Sequence, residues 1–221
     1  MIPDDVVRFS HIFDRHLKDA MRYCFFTRGV EFQRRKAGQL ASLIVQIQSK
    51  KQDQADAGNS EAANYLLAME FVAESFRHEL EMYVKLKSDD MDGAWDELIY
   101  SQSAADHANS AHESVAVPMR DQAERLQRIE DAIFPPQTFM SPGFITRVSH
   151  CSICGKSYQD CDHIKGKPYN GELCAEVIEK AEVQEISIVP KPANKHARIL
   201  AFERGNTKWN QLTLRRAKKE E

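Results

Sequence analysis

An α+β protein is predicted, with an antiparallel α-helical bundle over residues 1–134, a small zinc-stabilised β domain over 137–205 and a basic C-terminal tail over 206–221. Three observations predict it. Before Pro135-Pro136 apolar residues recur at steps of three and four, and after the two prolines they fall in short runs bounded by turn residues. Four of the five cysteines crowd into positions 151 to 174.

The helices follow in order. A first is expected from about Asp4 to Phe26, and a second from about Val30 to Ala55 carries Leu40, Leu43, Ile44 and Ile47 on one stripe. Asn59 and Ser60 offer a cap for a long third helix whose stripe is Tyr65, Met69, Val72, Phe76, Leu80, Tyr83 and Leu86. Ser88 to Asp90 offer the next cap, ahead of Met91, Trp95, Leu98, Gln102 and Ala105. Pro118 suits the first turn of a last helix bearing Met119, Ala123, Leu126, Ile129 and Ile133. Short links between such helices imply antiparallel neighbours. Their length and charged outer faces also suit a bundle whose apolar surface is completed by a second subunit, and a monomeric bundle satisfies the same pattern.

Polar residues of this half point to no metal centre. His11 and His16, like His107 and His112, are five apart, which turns the second ring off the face of the first; they read as surface or capping residues. Glu79, Glu81, Asp96 and Glu97 lack the Glu-x-x-His pairing of bundle metal sites and read as a solvated face. Cys24 reads as an ordinary buried thiol.

Beyond the prolines, Phe144, Ile145 and Val148 suggest a strand that leads into Cys151-Ser152-Ile153-Cys154-Gly155 and then Cys161-Asp162-His163. A Cys-x2-Cys-Gly turn converges two thiolates on one ion, with glycine taking backbone angles that a side chain resists. Cys161 and His163 then close a tetrahedron around Zn2+, and a metal held by four protein ligands folds its surroundings without doing chemistry. Tyr169-Asn170-Gly171-Glu172 is a two-residue hairpin turn that pairs Lys167 with Cys174, and an extended ladder from there would put Cys174 about 13 Å from His163. The compact set Cys151, Cys154, Cys161 and His163 is therefore preferred; a set in which Cys174 replaces His163 stays open, as does a reduced, metal-free loop.

Val183 to Val189 reads as a strand with Ile186 and Ile188 on one face, ended by Pro190 and Pro192, and a further strand is expected around Ala197 to Phe202. The run Glu185-Ile186-Ser187-Ile188-Val189, followed by Pro192-Ala193-Asn194 and Ala197, resembles a segment of the serine head-maturation (prohead) proteases of tailed phages. Upstream, Phe139-Met140-Ser141-Pro142-Gly143-Phe144 is similar to the strand that carries that family's nucleophile. The resemblance spans roughly Phe139 to Leu200 and implies a serine endopeptidase with Ser141 as nucleophile, the cysteine loop being an insertion. A serine nucleophile needs a histidine within hydrogen-bond reach. The family's histidine lies on an earlier strand, whereas here the preceding residues are helical and offer only His107 and His112; His150 would serve by a new geometry.

Other classes find less support. A formal charge of -3 argues against a chain that coats nucleic acid, although Lys208, Trp209, Arg215, Arg216, Lys218 and Lys219 could touch phosphates and stack on a base; a solvated tail is the commoner meaning. None of the nine glycines forms a spaced phosphate loop. The N-terminus lacks a secretory pattern and no apolar run approaches the roughly 18 residues of a membrane helix, so a cytoplasmic location is expected. The closed ligand set and incomplete catalytic set read as a non-catalytic interaction protein that binds a protein partner or associates with itself through its helices. A serine peptidase and a nucleic-acid-binding protein are the alternatives.

Overall fold

The computed structural model describes residues 2–216, which fall into two compact units: 2–126 with 150–177, and 127–149 with 178–216. Lys218, Lys219 and the closing Glu220-Glu221 of the expected tail lie outside the described residues. The division differs from the one expected at Pro135-Pro136, because the cysteine loop groups with the helices rather than with the strands that flank it.

The first unit is built on α1 (Asp4–Met21), α2 (Val30–Asp56), α3 (Ser60–Lys87) and α4 (Met91–Ala111), together with the first turns of α5 (Ala116–Ile133). Asn59 caps α3 by accepting from the Ala62 amide, and Asp90 caps α4 by accepting from the Gly93 amide. Ser75 meets Ser101 while His78, further along α3, meets Glu97 earlier in α4, so the pair runs antiparallel. The expected stripe from Met69 to Tyr83 is buried. Ala62, Ala63, Leu66, Leu67, Ala73 and Met82 are buried as well, because α2 and α4 cover α3 from two sides. First-unit contacts also join α1 to α2 and α3.

The expectation of a solvated acidic face is corrected in this half. Glu79 does not sit on a solvated face; it has no exposed surface, and Arg125 grips both of its carboxylate oxygens while Gln122 donates to one at 2.9 Å. Nearby, His78 joins Glu97 at 2.6 Å. His112 is a capping residue as expected, accepting from the Ser114 amide at the start of a short 3-10 turn, and Cys24 is a buried thiol.

The long strands β1 (Phe139–Cys151) and β4 (Glu176–Val189), all but two residues of each in the second unit, pair as a two-stranded ribbon. Gly143 lies against Glu185 and Arg147 reaches Glu182, an antiparallel order. Pro190 ends β4 as expected. The strand expected from Ala197 instead spans Ala201–Arg204 (β5), and it pairs with β6 (Thr207–Asn210) in place of the solvated tail predicted there. The turn residues are Gly205, with φ 63°, and Asn206.

Candidate metal centre

Cys151 closes β1, and the chain turns at once: the Gly155 amide donates to the Cys151 carbonyl, and the Cys151 amide donates to the Lys156 carbonyl, both at 2.9 Å. Gly155 takes φ 70°, the left-handed angle expected of the glycine in a Cys-x2-Cys-Gly turn. A 3-10 turn over Tyr158–Asp160 then delivers Cys161. Amides point at two of the sulfurs, from Ile153 to Cys151 Sγ at 3.4 Å and from His163 to Cys161 Sγ at 3.3 Å. Such bonds hold a thiolate in place and spread its charge.

The four residues chosen from the sequence come together. Ligand atoms of Cys151, Cys154, Cys161 and His163 all lie within 4.8 Å of one another. An ion bound at about 2.0–2.3 Å from each donor sets donors about 3.3–3.8 Å apart, so the cluster is a tetrahedron slightly open, and its three sulfurs and one imidazole are the donor types that zinc prefers. The thiols answer to one another. Burial pushes Cys151 up, but the amides of Cys154 and Ile153 and the thiols of Cys161 and Cys174 outweigh it and hold Cys151 down at about 6. Burial and the charge on Cys151 push Cys174 up to about 11, and burial likewise raises Cys161. One thiolate thus suppresses the others unless a cation sits among them.

Cys174 belongs to this neighbourhood, against the sequence argument that placed it far along a ladder. The hairpin of β2 (Pro168–Tyr169) and β3 (Glu172–Leu173) has the expected register, with Tyr169 opposite Glu172 and the Cys174 amide donating to the Lys167 carbonyl at 2.9 Å. What fails is the assumption that residues 163–167 continue as a strand. The Lys167 amide donates to the Ile164 carbonyl at 3.0 Å and Gly166 takes φ 80°, so the chain bends back and Cys174 Sγ stands 3.7 Å from Cys151 Sγ.

The same hairpin seats on the helices. Asn170 Nδ2 donates to the Ala55 carbonyl at 3.2 Å, the Gly171 amide donates to Asn64 Oδ1 at 2.8 Å, and Leu173 packs against Leu67, Ala68 and Ala111. Leu173, at the end of β3, thus faces the bundle, and Cys174, the next residue, stands beside the Cys151 sulfur.

The residues of the peptidase reading do not assemble in the expected way. Ser141 and His150 both lie on β1, nine residues apart, an odd number that puts them on opposite faces of the strand. Side chains on opposite faces of one strand do not form a nucleophile–base pair. The histidine nearest in sequence to the segment that meets the start of β1 is His196, where the chain turns: Phe139 bridges Arg198, the Met140 amide donates to the Ala197 carbonyl at 2.7 Å, and the Ala197 amide donates to the Asn194 carbonyl at 3.2 Å. Among the described residues, Ser141 makes no hydrogen bond to a histidine. Of the basic run, Trp209 pairs with Phe202 across the β5–β6 hairpin and carries the Arg216 guanidinium 6.0 Å over its ring.

No protein family, curated protein or solved structure matches the chain. Among the described residues, no helix is long and apolar enough to cross a membrane.

Proposed function

We propose that this chain is a non-catalytic interaction protein, in which a structural zinc ion braces the loop between β1 and β4 and the ribbon of those strands is covered by a protein partner. The observation that carries the reading is the donor cluster. Cys151, Cys154 and Cys161 supply three thiolates and His163 a fourth donor, with Cys174 beside Cys151, so no coordination position is left for water or substrate. The ion's work is then mechanical: it ties the loop together while Leu173 and the Asn170-Gly171 turn anchor it on α2 and α3. Five free thiols suit a reducing compartment such as the cytoplasm.

The ribbon supports the interaction half of the reading. Two strands alone are marginal in water, and beyond the start of β1, which pairs with residues 197–199, the outer edges of such a pair present amides and carbonyls that a further strand can take up. Its side chains add apolar surface, with Val183, Ile186 and Ile188 exposed by 64%, 66% and 71%. A second copy of the chain, laying its own ribbon along the open edge, would satisfy both the edge and the apolar face. Light scattering on the purified chain should report a dimer or larger species, and Ile186→Lys with Ile188→Lys should return it to monomer. A wild-type chain that stays monomeric at tens of micromolar would overturn self-association through the ribbon.

A further inference from the structure

We propose that Cys174, not His163, is the fourth metal ligand, so that the ion is held by four thiolates and the imidazole supports the site from outside. The inference rests on the zinc reading above and deepens it. Cys151 Sγ and Cys174 Sγ are 3.7 Å apart, and a zinc ion bonded to two sulfurs at about 2.3 Å in a tetrahedron separates them by about 3.8 Å. The two thiols therefore already stand at the spacing that a shared ion imposes. His163 Nδ1, 3.8 Å from Cys161 Sγ, stands at the upper end of the separations that donors to one ion show and equally at hydrogen-bond distance from the sulfur.

The backbone explains why the thiol is fixed there. Ser152 and residue 175 exchange two hydrogen bonds, from the Ser152 amide to the Ala175 carbonyl and from the Ala175 amide to Ser152 Oγ, both at 2.9 Å. Cys174 is clamped on its other side by its amide bond to the Lys167 carbonyl and by the Gly166 amide, which donates to the Cys174 carbonyl at 2.8 Å. The strand carrying Cys174 is thus stitched directly to the Cys151-x2-Cys154 turn. Cys174 is 2% exposed, so its thiol is held inside this turn rather than offered to solvent.

His163 has a different set of contacts. Its ring meets Tyr169 edge-on with centroids 4.5 Å apart, and the Tyr169 hydroxyl accepts from the neighbouring Ile164 amide at 3.0 Å. Placed so, an Nδ1–H donates toward the Cys161 thiolate, which offsets part of the surplus negative charge that four thiolates leave on a divalent ion. The five donors divide into four that bind and one that tunes.

The test uses the full chain with cobalt(II) in place of zinc, because thiolate-to-cobalt charge-transfer intensity scales with the number of bound sulfurs. Cys174→Ser should lower that intensity to about three quarters of wild type, the ratio of three thiolates to four. His163→Gln should keep the wild-type intensity and weaken metal affinity by about 10–100-fold, as loss of a supporting hydrogen bond does. X-ray absorption on the wild-type zinc protein needs no variant and should give four sulfur neighbours. Three sulfurs and one nitrogen there, or wild-type intensity in Cys174→Ser, would overturn the assignment while leaving the zinc site standing. A wild-type chain that takes up neither zinc nor cobalt would overturn both.

Discussion

Arg125 holds Glu79 by both carboxylate oxygens, with Nη1 at 2.7 Å from Oε1, on a glutamate that has no exposed surface. Burial pushes the Glu79 carboxyl above its ordinary range, and the guanidinium, with Gln122 and Tyr83, opposes that shift. The pair fastens α5 to α3 at a point where neither charge could stand alone.

Arg125→Met should therefore destabilise the protein by about 3 kcal/mol, the low end for a broken buried pair because the Arg125 side chain keeps some solvent contact. Denaturant unfolding of the single variant and of Glu79→Leu with Arg125→Met checks it. The double variant should recover most of the loss, since two apolar side chains leave no stranded charge. Equal losses in both would show that the pair does not carry the contact.

Glu74 offers a pH signature. Burial, and then the neighbouring Glu70 charge, raise its pKa above the ordinary 4.5. The folded state thus holds a proton that the unfolded state has released, so this residue lowers stability as pH rises through the window above 4.5. Glu74→Gln should raise the melting temperature at pH 7 and change it little at pH 4, and a gain of equal size at both would contradict the assignment.

The seat of the hairpin on the bundle is narrow. Gly171 has φ 88°, and a Cβ there would lie 3.1 Å from Lys51 Cγ and 3.4 Å from Ala63 Cβ. Gly171→Ala should cost roughly 1–2 kcal/mol from the left-handed backbone alone. Hydrogen exchange should show protection falling across residues 164–175 and holding in the core of α3; unchanged protection in the loop would mean that the turn does not anchor it.

For the peptidase alternative, Ser141→Ala and His196→Ala should both leave peptide hydrolysis at the background of the wild-type chain. Hydrolysis above background that either substitution abolishes would replace the interaction reading with an enzymatic one.

The helices were legible in the sequence because their signal is local: Met69, Val72, Phe76 and Leu80 repeat at the helical period, and Asn59 and Asp90 cap as their side chains dictate. Cys151, Cys154, Cys161 and His163 were legible because one short stretch of chain, residues 151–163, brings them together. What lay beyond the sequence was non-local. Glu79 looked solvated because its partner, Arg125, is on another helix, and Cys174 looked remote because a bend at Gly166 leaves no apolar pattern. The β5–β6 hairpin did leave a signal, Gly205-Asn206 between short strands, which the surrounding basic charge obscured.

Metal content tests the central claim most directly. Protein purified without added metal should contain about one zinc per chain by elemental analysis, and Cys154→Ser should lose both the metal and the order of residues 150–177. A folded wild-type chain free of zinc, or full occupancy in Cys154→Ser, would contradict the account.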